Sequence, residues 1–289
     1  MTIDYASLKG RNFPEIEQEY TSQDTILYAL GIGVGADPLD ENQVQFTFEE
    51  AQNFSPLPTM PVVMAGPGFW VREPDSGVTW EQVLHGEQRL RLHSPMPPEG
   101  VVVGRTRIEE VIDKGEGKGA LIYVLRDIYD KTSGTHIATS TSTTFARADG
   151  GFGGPSGPVK SVHTLPEREP DMVDEVPTLP QAALIYRLSG DSNPLHASPA
   201  VATQAGFHAP ILHGLCSYGV AGWSIMRRCC GGDPNRLKQL DLRFSSPVFP
   251  GETLRTEIWQ DGETISFRTT VLERKKLVLN NGLAIVSRE

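Results

Sequence analysis

Two stretches of the chain read alike: QRLRLHSPMPPEG (residues 88–100) and QLDLRFSSPVFPG (residues 239–251). Each alternates into Ser-Pro, meets a second proline, stops at Gly, and opens into a run of β-formers. Their separation is an internal repeat with a period of about 150 residues. The surroundings repeat too. LHGEQRLRLHSPMP, GVVVGRTRIEEVID, GALIYVLRDIYD and THIATSTSTTFAR follow one another in the first half. LKQLDLRFSSPVFPG, TLRTEIWQDG, TISFRTTVLER and KLVLNNGLAIVS close the second. Most are rich in β-branched and aromatic residues, and Gly- or Asp-bearing turns separate several of them. Between the series lies ADGGFGGPSGPVKSVHTLPEREPD (residues 148–171), without apolar periodicity and rich in Gly and Pro, which reads as a linker. The organisation expected is a first repeat over 1–148, a linker over 149–171 and a second repeat over 172–289. A duplicated sheet-forming unit buries itself most simply by setting its two copies side by side.

Each strand series follows a helix-like segment. HGLCSYGVAGWSIMRRCC (residues 213–230) is long, apolar and rich in small residues. Gly214, Gly219 and Gly222 would each cost an isolated helix up to ~1 kcal/mol relative to Ala, and make sense if the helix lies close against a sheet. LPTMPVVMAGPGFW (residues 57–70) is the weaker counterpart in the first half. The fold class expected is α+β: a helix wrapped by a curved antiparallel sheet, twice.

With 289 residues, 38% hydrophobic and 21% charged, the chain has enough material for a sizeable core. Acidic residues exceed basic ones by 36 to 26, a net charge of -10, which disfavours nucleic acid or an anionic membrane as partner. The three cysteines, Cys216, Cys229 and Cys230, form no CxxC pair and suit a reducing compartment. The N-terminus lacks a signal-peptide pattern, the final SRE is not the peroxisomal tripeptide, and no apolar run reaches the ~18 residues of a membrane span. A cytoplasmic protein is expected.

GIGVGAD (residues 31–37) follows TSQDTILYAL, which carries an N-cap signal, so its glycines read as a helix C-cap and loop rather than a dinucleotide fingerprint. GDSNPLH (residues 190–196) is more informative. Taken alone it is satisfied by Asn193 capping a helix that starts at Pro194. Its spacing also lets Asp191, Asn193 and His196 point into one cleft. A carboxylate and an imidazole sharing one water can work on both its protons, and Asn193 can orient without taking one. ILHG (residues 211–214) opens the apolar helix, so the Gly214 N–H is a free donor in a partial positive field, suited to an oxyanion. Together these fit addition of water to a polarised double bond. His213 alone reads equally as a helix-start residue with a satisfied ring. Cys216 reads as a small core residue, and no Ser or Cys nucleophile stands beside the pair. Asp191, His196, His208 and His213 lack the spacing of a metal-ligand set, so no metal is expected.

YRLSGDSNPLHASPAVATQAGFHAPILHG (residues 186–214) resembles the hydratase-2 signature of MaoC-like enoyl-CoA hydratases, including the hydratase domain of peroxisomal multifunctional enzyme type 2. The likeness extends through LYALGIG, VLHGEQRLRLHSPMP and VIDKGEGKGALIYV and covers most of the chain. It implies a double hotdog, two helix-in-sheet repeats sharing one continuous sheet. It implies that Asp191, Asn193, His196 and Gly214 carry catalysis, and that His85, Gly86, Lys114, Ser192, Pro194, Leu195, His213 and Phe244 contact the acyl-CoA. Lys114 suits a ligand phosphate, although DKGEGKG alone reads as a solvated turn. The first half has no GDxNxxH and, by resemblance, accommodates the acyl chain. Ser192 stands where eukaryotic relatives carry a bulky aromatic.

The activity implied is (R)-specific 2-enoyl-CoA hydration in fatty-acid metabolism, interconverting trans-2-enoyl-CoA and (3R)-3-hydroxyacyl-CoA. No cofactor is expected beyond the CoA of the substrate, and the expected assembly is a homodimer. The rivals are an acyl-carrier-protein dehydratase, a silent acyl-CoA-binding protein and a hotdog thioesterase. Which of Asp191 and His196 is base and which acid stays open at this level.

Overall fold

A computed structural model describes residues 2–288. Ten strands form one sheet: β1 (Ile16–Tyr20), β2 (Val83–Leu92), β3 (Gly100–Asp113), β4 (Ala120–Asp130), β5 (His136–Ala146), β6 (Met172–Pro177), β7 (Leu237–Phe244), β8 (Thr253–Asp261), β9 (Thr264–Val271) and β10 (Lys276–Val286). Their order is β1-β3-β4-β5-β2-β7-β10-β9-β8-β6 and every pairing is antiparallel. Each strand of the first five stands opposite its counterpart five later, about a pseudo-two-fold between β2 and β7. The two repeated stretches, 88–100 and 239–251, meet there: Arg91 faces Gln239, Leu90 faces Leu240 and Gln88 faces Leu242. The continuous sheet of two hotdog repeats is the architecture expected.

Among the described residues six α-helices accompany the sheet: α1 (Tyr5–Lys9), α2 (Ser22–Gly31), α3 (Glu41–Thr47), α4 (Ala182–Tyr186), α5 (Pro199–Gln204) and α6 (Gly214–Cys229). α6 is the central helix predicted over 213–230, buried from Cys216 to Met226. Its apolar residues join Leu240, Leu242, Leu254, Ile258 and Phe267 from the sheet in one core. Its glycines mark close approaches, though not all to the sheet. A Cβ on Gly222 would lie 2.5 Å from Thr59 Cγ2 and 3.1 Å from Leu240 Cδ2, whereas one on Gly219 would lie 2.8 Å from Ile32 Cγ2, at the end of α2. The expected close approach to the sheet holds at Gly222 through Leu240, and α2 adds a second close neighbour at Gly219.

The first half has no matching long helix. Residues 57–70 form a short 3-10 turn, Met60–Val63, and reach a second, Trp70–Arg72, so the predicted helical counterpart is overturned. Pro58, Pro61 and Pro67 remove backbone donors and restrict the residues before them, which stops an α-helix despite the apolar composition. α2 takes part of the space. It starts at the reciprocal cap of Thr21 and Asp24 and ends at Gly31, as the sequence suggested. The linker is an ordered strap: the Arg89 side chain donates to the Ser161 carbonyl at 3.2 Å, His163 Nε2 meets Ser266 Oγ at 2.7 Å, and Trp259 Nε1 donates to the Arg168 carbonyl at 2.7 Å. Among the described residues no helix is long and apolar enough to cross a membrane.

Candidate active site

The 3-10 turn Arg187–Ser189 ends at Gly190, whose φ of 119° is open to glycine and strained for other residues. This turns the chain back so that Asp191 enters the cleft beside the start of α6. Two side-chain-to-backbone bonds then wind the segment. Asp191 Oδ1 accepts from the Asn193 N–H at 3.1 Å, and Asn193 Oδ1 accepts from the Leu195 N–H at 3.0 Å. Asn193 is therefore the cap of a single 3-10 turn, Pro194–His196, with proline in the favoured first position. Of the residues expected to contact substrate, Ser192 and Pro194 are exposed and Leu195 is half-buried.

His196 is buried at the end of that turn. Its Nδ1 lies 2.8 Å from the Ile211 carbonyl oxygen, which can only accept, so Nδ1 carries the proton and Nε2 keeps a lone pair. Burial lowers its pKa below 6.5, with the Asp191 charge pulling the other way. Near neutral pH His196 is an uncharged imidazole with one basic nitrogen.

His213 is the N-cap of α6 and is 1% exposed. Its ring stacks on His196 with centroids 3.7 Å apart and planes 27° apart. Its Nε2 lies 3.2 Å from the Asp191 carbonyl oxygen. Burial pushes its pKa down to about 4, helped by His196 and opposed by Asp191. Gly214 begins the helix, a position whose N–H has no intrahelical acceptor. A Cβ there would lie 3.2 Å from Phe244 Cε1, so Phe244 of β7 walls the other side of that donor.

The fourth side comes from the first half. His85 of β2 has its ring 4.7 Å from that of Phe244 and its Nε2 3.1 Å from the Glu87 carbonyl oxygen. Burial lowers its pKa to about 4, with the charge of Asp191 acting on it in opposition. Gly86 sits at the bulge between His85 and Glu87, where a Cβ would press on the Thr143 carbonyl at 3.3 Å. Lys114 is exposed in the β3–β4 turn, its Nζ 5.4 Å from the centre of the Phe145 ring. Phe145 faces Leu84 across β5 and β2, so Lys114 lies at the same end of the sheet as His85.

The fold gathers Asp191, His196 and His213 with one ligand-type atom of each within 4.8 Å of the others, correcting the inference from spacing that they would not form a set. His208 stays apart, stacked on Phe249. The His196 and His213 rings are stacked, their planes 27° apart. Sequence reasoning missed the Ile211 carbonyl that fixes His196 and the Tyr186 ring 5.2 Å from His213. A backbone acceptor leaves no residue-type signal, whereas Tyr186 stands at the head of the quoted motif.

The chain resembles known proteins over both halves. The sequence pattern described as the MFE-2 hydratase 2 N-terminal domain matches residues 18–148, and that of the MaoC like domain matches residues 161–281. The chain belongs to the MaoC-like hydratase 2 family. Its relatives include "3-hydroxyacyl-thioester dehydratase Y" of Mycobacterium tuberculosis, 41% identical with 98% of each chain covered. "Probable enoyl-CoA hydratase 2" of Dictyostelium discoideum is 37% identical, covering 99% of this chain and 97% of its own. Among solved structures, a MaoC-like dehydratase from Phytophthora capsici superposes with a TM-score of 0.87 at 34% identity, covering 98% of this chain and 99% of its own. This hydratase 2 member thus shares both halves with its relatives, and the second match takes in the strap from residue 161 on.

Proposed function

We propose that the chain is an (R)-specific 2-enoyl-CoA hydratase, a hydro-lyase that interconverts trans-2-enoyl-CoA and (3R)-3-hydroxyacyl-CoA. The observation carrying this reading is the meeting of a neutral His196, its Nε2 lone pair free, with the Asp191 carboxyl group at the free first N–H of α6. A water held between Asp191 and His196 attacks C3 of the enoyl group. Its proton passes to His196 Nε2 as the new C–O bond forms. The π electrons move toward the thioester, whose oxygen receives the Gly214 N–H. The imidazolium, stabilised by Asp191, then returns the proton to C2, so one molecule of water has been added and His196 is neutral again. The open choice between base and acid thus goes to His196 for both transfers, with Asp191 orienting the water.

No cofactor enters beyond the CoA of the substrate. Lys114, at the rim, is assigned to a CoA phosphate. A cytoplasmic homodimer is the setting we propose; the three buried free cysteines support a reducing compartment. The name of the mycobacterial relative favours one further reading, the same chemistry run as dehydration of another 3-hydroxyacyl thioester. The test is hydration of trans-2-enoyl-CoAs of graded length with chiral analysis of the product, beside the same acyl groups on a carrier protein. An (R) product on CoA supports the proposal. An (S) product, or turnover on the carrier protein alone, overturns it.

A further inference from the structure

His213 occupies the N-cap of α6, where Ser, Thr, Asp or Asn would cap the free N–H groups. It does not do this: its side chain makes no capping bond. Its Nδ1 is instead buried without a hydrogen-bond partner, while the ring is almost wholly removed from solvent. An orphaned buried acceptor costs roughly the desolvation of the group, and a better cap was available from several residue types. A local rule broken twice at one position points to a role other than holding the helix. The contacts of the ring identify that role. Its centre lies 3.7 Å from that of the stacked His196 ring and 5.2 Å from that of the tilted Tyr186 ring, and its Nε2 lies 3.2 Å from the Asp191 carbonyl oxygen. From the start of the helix that supplies the Gly214 donor, it touches both members of the pair.

We infer that His213 is a positioning residue for the hydration, a platform that fixes the His196 ring by stacking and the Asp191 backbone by its Nε2–H, so that both act on one water above Gly214. The inference rests on Asp191 and His196 being the reacting pair. The carbonyl at Asp191 requires the Nε2-protonated form of His213, as the Ile211 carbonyl requires the Nδ1-protonated form of His196. Two stacked neutral rings with opposite tautomers therefore present different edges: His196 its lone pair to the water, His213 its donor to the loop. The charged and titratable groups facing them are Asp191 on the loop, Arg187 and Tyr186 before it, and, acting on Asp191, His85 of β2.

The test uses His213→Asn and His213→Phe in the full chain, with kcat and KM measured across pH and thermal stability measured alongside. Asn suits the N-cap, so His213→Asn is expected to keep the fold. It removes the platform and admits water beside His196. kcat should fall by roughly 10- to 100-fold with KM little changed, because misplacement of a reacting group by about 1 Å costs up to that much. The acid limb of the kcat profile should also move up towards pH 6.5 as His196 is rehydrated. His213→Phe keeps the stack but not the donor: the acid limb should stay in place while kcat still drops. If His213→Asn fails to fold, His213→Phe decides alone. Wild-type kcat in the folded variants, with inactive Asp191→Asn and His196→Ala, overturns this inference and leaves the proposed function standing. Activity in Asp191→Asn or His196→Ala overturns the reading on which it rests.

Discussion

Gly214→Ala and Gly222→Ala place the same methyl two turns apart on α6, and the structure assigns them opposite consequences. At Gly214 the new Cβ would lie 3.2, 3.4 and 3.5 Å from Phe244 Cε1, Cδ1 and Cζ. The partner is the edge of a half-buried ring that can tilt by a few tenths of an ångström, so folding should be close to neutral. The methyl nevertheless fills the space between the first helical N–H and the Phe244 wall, where the thioester carbonyl has to sit. Losing one oxyanion donor costs about 10²- to 10³-fold in rate, or ~2.7–4 kcal/mol of barrier, and kcat/KM of Gly214→Ala should fall on that scale. At Gly222 the Cβ would meet Thr59 Cγ2 at 2.5 Å and Leu240 Cδ2 at 3.1 Å, both fully buried. Overpacking of this kind costs ~1–3 kcal/mol, against up to ~1 kcal/mol gained from replacing a helical Gly. A net loss of about 1–2 kcal/mol lowers Tm by roughly 2–8 °C in a chain of this size. The assay is loss of the enoyl-thioester absorbance on hydration, with calorimetry on both variants. Gly214→Ala retaining kcat/KM within about threefold of wild type would remove Gly214 as the oxyanion donor. Gly222→Ala losing activity without losing Tm would show that the two positions had been assigned the wrong way round.

Asp191→Asn and His196→Ala should each lower kcat by about 10²- to 10⁴-fold, and the double variant should be far less impaired than the product of the two, since both serve one water. Multiplicative losses in the same hydration assay would break the shared-water mechanism. Lys114→Glu should raise KM with kcat nearly unchanged, an effect that shrinks in high salt, because the contact is equal in ground and transition states and is screened at an exposed site; wild-type KM at low salt would return Lys114 to a solvated turn. The pH dependence follows from burial. His196 is active while neutral and its pKa is held below 6.5, so kcat/KM should be flat near neutrality and fall only as pH drops through that lowered value. Stability should change in the same direction: His85 and His213 take up protons near pH 6.5 when unfolded but only near pH 4 when folded, so the unfolded state binds more protons between those values and Tm should drop as pH falls through that window. A Tm independent of pH there would contradict the buried neutral imidazoles.

The sheet was legible because a repeat constrains topology as well as secondary structure. Gln88 and Gln239 could be matched by eye, and eight of the ten strands followed from β-formers between turns. The two edge strands were not. β1 is IEQEY, mostly polar and five residues long, and β6 is MVDEVP, ending at a proline beside the strap; both are stabilised by their neighbours, β3 and β8, rather than by their own pattern. The apolar run at 57–70 misled in the opposite way, since its hydrophobicity is real but its prolines exclude an α-helix. At the site, Asp191, Asn193 and His196 were visible because one turn carries them, including the cap from Asn193. The convergence of His213 on them was not, because it depends on where α6 begins relative to that turn.

The pseudo-two-fold also bears on the expectation, from the resemblance, of one site per chain. The candidate cleft lies where the start of β2, at His85, meets the end of β7, at Phe244. The symmetric place is where the start of β7, at Leu237, meets the end of β2, at Leu92. A cleft exists there, but of only about 80 Å³, lined by Pro56, Pro58, Pro61, His93, Pro95 and Leu237 among others. Where the second half begins a sixteen-residue helix with a free N–H at Gly214, the first half has the 3-10 turn Met60–Val63 with Pro61 in its first positions. A proline has no N–H to offer an oxyanion, and a single 3-10 turn has little dipole to aim. The Arg126 side chain donates to the Val62 carbonyl at 2.7 Å, tying this segment to β4. The remnant also lacks any GDxNxxH. Restoring the acid–base motif to the first half would therefore not restore catalysis, because the helix whose first N–H receives the oxyanion is missing from that side of the axis.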